Sequence, residues 1–385
     1  MRGRDLAAQA TTPPRVLVLW AEESSPNLGV AALARGSRDL LQRIHPGAEI
    51  TFANYGARPA QVPWGRPRSL VRERLLPRFG MQDFFRGFDL VWDTRSGDSF
   101  ADIYGLGRHL TMGTVHEFAR EAGVPVVMAP QTIGPFGTRR GRLLAQWNLR
   151  RSRLVVARDP RSAGEAVALR RPADATTADL VFAIEQPDPG PQRDVLVNVS
   201  GLLWTENPHV GAAAYRRTLQ ETVTRLRADG REVALLAHVL DNPSADNDVP
   251  ALRELAAQVG GGLEVVVPTD LDSVRATIAG ANLLIGSRMH ACLNALSVGT
   301  PAIPLAYSRK FAPLLESVGW RTGFDLRTDD LGSLPRQIVA TAAEVTPAKA
   351  HDAARAGRGS LEALHPRIEP LLADSSAGRG TVRVA

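Results

Sequence analysis

Residues 282–307 read NLLIGSRMHACLNALSVGTPAIPLAY, and this stretch decides the fold. Asn282-Leu283-Leu284-Ile285-Gly286 has the continuous apolar character of a buried strand, and the small and apolar residues 289–298 predict a helix that Ser287 would cap. Gly299-Thr300-Pro301 stops that helix, and residues 302–307 form a second strand that delivers Ser308, Arg309 and Lys310 to the same sheet edge. A strand, a helix and a prompt second strand make a parallel unit. The first turn of such a helix has unpaired N–H groups and the positive end of the helix dipole, so an anion is favoured beside Ser287, Arg288 and His290. Open α/β sheets bind ligands at this edge.

The alternation extends towards the N-terminus. Residues 15–20, 49–55, 88–94, 125–131 and 154–159 read as strands, and 29–44, 108–122, 139–151 and 160–169 as helices. A Pro/Gly/Asp-rich stretch at 185–193 reads as a linker, after which a second series begins. Its strands are expected at 194–200, 232–240, 263–269, 283–287 and 302–307, and its helices at 209–228, 248–259, 271–279 and 288–298. The expected architecture is α/β, with two Rossmann-like doubly wound domains, 15–184 and 194–373, facing across a cleft. Residues 1–14 should be a flexible N-terminus and 374–385, small and polar, a disordered tail. The connection 240–248 is long and polar for an α/β loop, which suggests a lid at the ligand edge.

Gly-Ser-Arg-Met-His-Ala at 286–291 is followed by Gly-Thr-Pro at 299–301 and Tyr-Ser-Arg-Lys-Phe at 307–311. Upstream stand Asn27-Leu28-Gly29, Ser96-Gly97-Asp98-Ser99-Phe100-Ala101-Asp102, Ala129-Pro130-Gln131-Thr132-Ile133-Gly134-Pro135 and Ala157-Arg158-Asp159-Pro160-Arg161-Ser162. In this order, across roughly residues 15–320, they resemble the polysaccharide pyruvyl transferase family. The resemblance implies a fold similar to the two-domain (GT-B type) glycosyltransferases, phosphoenolpyruvate as co-substrate, and a sugar or glycan acceptor, free or lipid-linked. It implies no cofactor and no metal, and leaves the oligomeric state open.

Phosphoenolpyruvate presents a carboxylate and a phosphate, so its site needs cations. Arg158, Arg288 and Lys310 are the candidates, with Ser287 beside them. His290 is the acid/base candidate because its ordinary pKa lies near working pH. Asp98 could orient or deprotonate an acceptor hydroxyl, and Gly97 would allow close backbone approach. Asn27 opens the loop after the first strand, while Gln131 and Thr132 could hydrogen-bond a sugar. Structural roles compete for several of these residues: Asp159 as a helix cap with Arg158 its ion-pair partner, Asp98 in an Asx turn, and Asn27 in a plain turn. The family usually has consecutive glycines before the Asp98 position. Arg95 and Ser96 stand there, and Arg95 could supply a charge to the ligand.

Composition narrows the classes. At 385 residues and 44% hydrophobic content, the chain can build two cores. Cys292 is its only cysteine, so it has neither an internal disulfide nor a thiol-cluster metal site, and it should be a packed core residue. No stretch approaches the roughly 20 apolar residues of a membrane span, and the N-terminus has no signal-peptide core, so a cytoplasmic location is expected, with the inner face of the cell membrane as one option within it. The net charge of +6 is nearly all arginine, spread at helix-surface spacing with 5% aromatic residues. That pattern argues against nucleic acid and allows at most peripheral contact with anionic lipid. A nucleotide-sugar glycosyltransferase or sugar epimerase would share the layout but should place a carboxylate for the ribose near 302–311, where no Glu occurs before Glu316. A non-catalytic glycan- or anion-binding protein is the third reading.

Overall fold

The structure, a computed structural model, describes residues 12–54, 67–77 and 80–377. The first eleven residues of the expected flexible N-terminus and residues 378–385 of the expected tail lie outside the described residues.

The first sheet contains β1 (Arg15–Leu19), β2 (Glu49–Ala53), β3 (Leu90–Asp93), β4 (Val126–Gln131), β5 (Leu154–Ala157) and β6 (Ala175–Thr176). The second contains β7 (Arg193–Asn198), β8 (Val233–Leu236), β9 (Glu264–Val266), β10 (Ala281–Gly286), β11 (Ala302–Ala306) and β12 (Phe324–Asp325). Strand orders are 2-1-3-4-5-6 and 12-11-10-7-8-9, with every pairing parallel. β3, β4 and β5 are buried at every position because helices cover both faces, which is why they read as unbroken apolar runs.

In each sheet the chain winds one way and then restarts beside its first strand. The switch points lie between β1 and β3 and between β7 and β10. The segments that follow these strands carry Asn27, Asp98, Arg288 and, in the first turn of a helix, His290, so topology brings the candidate residues towards a common cleft.

Helices 139–151, 248–259 and 271–279 have the expected bounds. Ser287 does not cap the next helix. Arg288 occupies that position, and Met289–Val298 follows. Two helices after the expected second domain's sheet return to the first. Pro347–Glu362 packs on Met289–Val298 and on the turn Leu180–Ala183, where Gly357 lies so close to Phe182 that a Cβ would come within 2.4 Å of the ring. His365–Ala377 then reaches the helix Leu28–Ile44 and β3, so residues 374–377 are helical where a disordered tail was expected. One continuous apolar cluster joins β1 and β3 through Leu180–Ile184 to Met289–Val298 and the returning helices.

Candidate active site

The two domains are stitched together at the cleft floor. Asn27 and Val239 form an antiparallel bridge, with Leu28 N donating to His238 O at 3.2 Å and Leu240 N to Pro26 O at 2.8 Å. Asn27 also caps the helix Leu28–Ile44, its Oδ1 accepting from Gly29 N at 3.0 Å. The first turn of that helix abuts His290. A Cβ on Gly29 would lie 2.7 Å from His290 Nδ1, so only glycine admits the imidazole there.

Behind the imidazole stands Asp179. Its Oδ2 lies 3.7 Å from His290 Nε2 and accepts from Arg158 Nη1 at 2.6 Å, while Oδ1 accepts from Val181 N at 3.0 Å. Burial would raise this carboxyl's pKa, but Arg158 and His290 together hold it well below the usual range. Arg158 is fully buried, donates from Nε to Thr132 Oγ1 at 3.0 Å, and leaves Nη2 without a partner among the described residues. Its ion pair is therefore with Asp179 and not with Asp159, which caps the helix Pro160–Ala168 through Ser162 N at 2.7 Å. On the other side of His290, the buried His238 takes Asn294 Nδ2 at 3.1 Å. Burial, then the charges of His290 and Arg288, push its pKa well below 6.5, so it stays neutral.

Arg288 is held tightly. Its Nη1 meets Asp246 Oδ1 at 2.6 Å, and Nε and Nη2 meet Asp248 Oδ1 at 3.0 and 2.6 Å. Both acids come from the 240–248 connection. Asp248 also accepts from the backbone N–H groups of Gly201, His238 and Val239, so this connection is an anchor rather than the expected lid. Lys310 pairs across the cleft with Asp98 and with the hydroxyl of Tyr104, which itself donates to Asp98 at 2.8 Å. Burial works against both charges, yet each stabilises the other: the Asp98 pKa is lowered and the Lys310 pKa raised.

The cleft so formed measures about 1040 Å³, and Asn27, Asp98, Arg158, Arg288, His290 and Lys310 all line it. The other expected residues stand behind its wall. Ser287 is fully buried, its Oγ accepting from the Tyr215 hydroxyl at 2.8 Å, and Gln131 is fully buried with Nε2 on Asp93 O at 3.1 Å. Thr132 positions Arg158, and Gly97 lets that guanidinium pass, since a Cβ would meet Arg158 Nη1 at 3.0 Å. Arg95 does not offer its charge to a ligand. It turns inward, fully buried, with Nε on Asp93 Oδ2 at 2.8 Å and its guanidinium over the Phe100 ring at 5.0 Å.

The profile described as polysaccharide pyruvyl transferase matches residues 27–309, the span that contains every one of these cleft residues except Lys310. The chain belongs to the polysaccharide pyruvyl transferase family. No curated protein matches the sequence. Among solved structures, a UDP-N-acetylglucosamine 2-epimerase is similar with a TM-score of 0.60 and 12% identity, over 98% of this chain and 100% of that one. The Neisseria meningitidis UDP-GlcNAc 2-epimerase bound to UDP-GlcNAc gives 0.56 and 10%, over 92% and 99%. Anabaena HepE in complex with UDP and glucose gives 0.51 and 13%, over 94% and 100%. At these identities the likeness is one of fold, the two-domain GT-B type.

In this pyruvyl transferase family member the loop before Asp98 is left-handed although Arg95 and Ser96 stand where consecutive glycines were expected. Arg95, Ser96 and Gly97 all have positive φ, at 47°, 50° and 78°. Side-chain bonds hold the two strained residues there, Arg95 to Asp93 and Ser96 Oγ to Trp20 O at 3.0 Å. Asp179, His238, Tyr104 and the Asp246/Asp248 pair were not singled out by the sequence. The only signal for the last was the acidic character of the 240–248 connection. Among the described residues no cluster of three or more His, Cys, Asp or Glu is placed to hold a metal, and no helix is long and apolar enough to cross a membrane.

Proposed function

We propose that the protein transfers the pyruvyl group of phosphoenolpyruvate onto a sugar of a cell-surface or exopolysaccharide glycan as a cyclic ketal, releasing phosphate. The observation that carries this reading is the unpartnered Nη2 of buried Arg158 beside the His290–Asp179 pair, within one cleft. A cation fixed without a complete set of acceptors suits an incoming carboxylate or phosphate.

His290 delivers a proton to the methylene carbon of phosphoenolpyruvate, and C2 becomes electrophilic. A sugar hydroxyl then forms a C–O bond to C2, the C2–O bond to phosphate breaks with its electron pair going to phosphate, and a second hydroxyl closes the ketal. Of the two hydroxyl protons, one restores His290 and the other leaves with phosphate. Arg158 and Lys310 face the anionic groups, while Arg288, already neutralised by two carboxylates, orients the start of its helix. Asp98 is a weak base while Lys310 holds it. Donor phosphate that draws Lys310 away frees Asp98 to take the second hydroxyl proton and pass it to the departing phosphate. Holding both substrates between the domains contributes orientation worth roughly 7–11 kcal/mol.

Calorimetric titration of the full chain with phosphoenolpyruvate tests the reading. Saturable binding that weakens at least tenfold in Lys310→Ala and in Arg158→Lys supports it. Binding of UDP-sugars with none of phosphoenolpyruvate would replace it with nucleotide-sugar chemistry.

A further inference from the structure

A second concavity, of about 430 Å³, opens beside the cleft and shares Ser308, Arg309, Phe311 and Arg327 with it. Its size falls in the roughly 300–1,000 Å³ range of small-molecule pockets. Its floor includes the buried Phe311 and Trp320, and its rim carries Arg161 from the first domain with Arg309, Arg321 and Arg327 from the second. Arg327 is committed to Asp325, with Nε on Oδ1 at 2.8 Å. The other three guanidiniums make no side-chain hydrogen bond or ion pair with any described residue, and Glu165 and Glu316 nearby pair with none of them.

Arg309 is the informative one. It is half-buried between the domains and lines the cleft, this groove and the small gap beside Thr132; Arg161 and Arg327 act on its charge along with the carboxylate of Glu165, which makes no ion pair with it. Burial, followed by the charge of Arg161, lowers its pKa. A partly desolvated guanidinium with like charges beside it is stabilised by a multivalent anion with several acceptor oxygens, which planar guanidiniums grip bidentately. The apolar floor suits whatever the anion carries.

We propose that this groove binds the phosphate or diphosphate of the acceptor's carrier, with Arg309 as its central contact and Arg161 and Arg321 at its sides. Naming the ligand as the acceptor rests on the pyruvyl-transfer reading; the groove's selectivity for a diphosphate does not. Carrier and donor then enter by separate openings and meet where the two cavities join.

The test titrates the full chain with geranyl diphosphate and with UDP, each without phosphoenolpyruvate and again at saturating phosphoenolpyruvate. Geraniol and uridine serve as uncharged controls. At least one diphosphate should bind in both conditions, its control should not, and Arg309→Ala and Arg321→Ala should each weaken it about tenfold or more. A preference for geranyl diphosphate identifies a prenyl carrier, and a preference for UDP a nucleotide carrier. Unchanged affinity in both variants overturns the proposal, as does stoichiometric displacement of the diphosphate by phosphoenolpyruvate, which would place both ligands in one site. Should phosphoenolpyruvate itself fail to bind, the titrations without it still decide the groove.

Discussion

Asp179 Oδ2 and His290 Nε2 stand 3.7 Å apart, although one belongs to the segment that closes the first sheet and the other to the helix that follows β10. The same carboxylate neutralises Arg158 at 2.6 Å. Removing it strands a buried guanidinium, and breaking a buried pair in this way costs about 3–5 kcal/mol. Asp179→Ala should therefore lower the unfolding free energy by that order in a urea titration followed by circular dichroism. A loss below about 1 kcal/mol would show that Arg158 finds solvent, contrary to its burial.

Gly29 gives a subtler test of the same imidazole. Gly29→Ala would place a methyl group 2.7 Å from His290 Nδ1, inside van der Waals contact, and the flexible partner is the side chain rather than the helix. Phosphoenolpyruvate binding and secondary structure should change little, while turnover falls on the order of 100-fold because the acid is displaced by about 1 Å. Equal loss of donor binding and turnover would indicate collapse of the whole cleft.

The Lys310–Asp98 pair predicts an inverse effect on binding. In the free protein the ammonium is occupied by Asp98 and Tyr104, so donor phosphate must compete for it. Asp98→Asn should tighten phosphoenolpyruvate binding by up to about fivefold, the value of a modest ion pair, and still reduce transfer. Calorimetry on the variant that returned weaker binding would rule out competition for Lys310.

Acid should act on the fold in two stages. His238, and His109 at about 4, titrate below their ordinary 6.5, so the unfolded chain binds these protons first and stability declines as pH falls below about 6.5. Asp93, Asp98 and Asp179 lie below their ordinary 3.8, and their contribution, complete above that value, is lost as pH falls further through the folded pKa values. Thermal melts from pH 8 to 3 should show a gradual decline and then a steep one. His238→Asn would flatten the first stage, and a profile level from pH 7 to 4 would contradict the burial of these two histidines.

Much of the fold was legible because the central strands are buried on both faces and the helices are bounded by Gly, Pro or polar caps, as at Gly299 and Asp270. The cleft residues Arg158, Arg288, His290, Lys310 and Asp98 were readable from their motifs. Their partners were not. Asp179 has no motif of its own, and its role depends on two residues brought together by sheet topology. Arg288 looked like a free cation because the acids that hold it come from a connection whose path the sequence does not specify. Ser287 and Gln131 illustrate the converse: a polar residue at a strand end can point into the wall as readily as into the cleft.

The helices Pro347–Glu362 and His365–Ala377 complete the apolar layer over Leu28–Ile44, β3 and Leu180–Ala183. During synthesis, then, the leading domain cannot finish burying its own interior until residues 347–377 have left the ribosome. It waits with an open greasy face, and these two late helices act as the clasp that locks both halves.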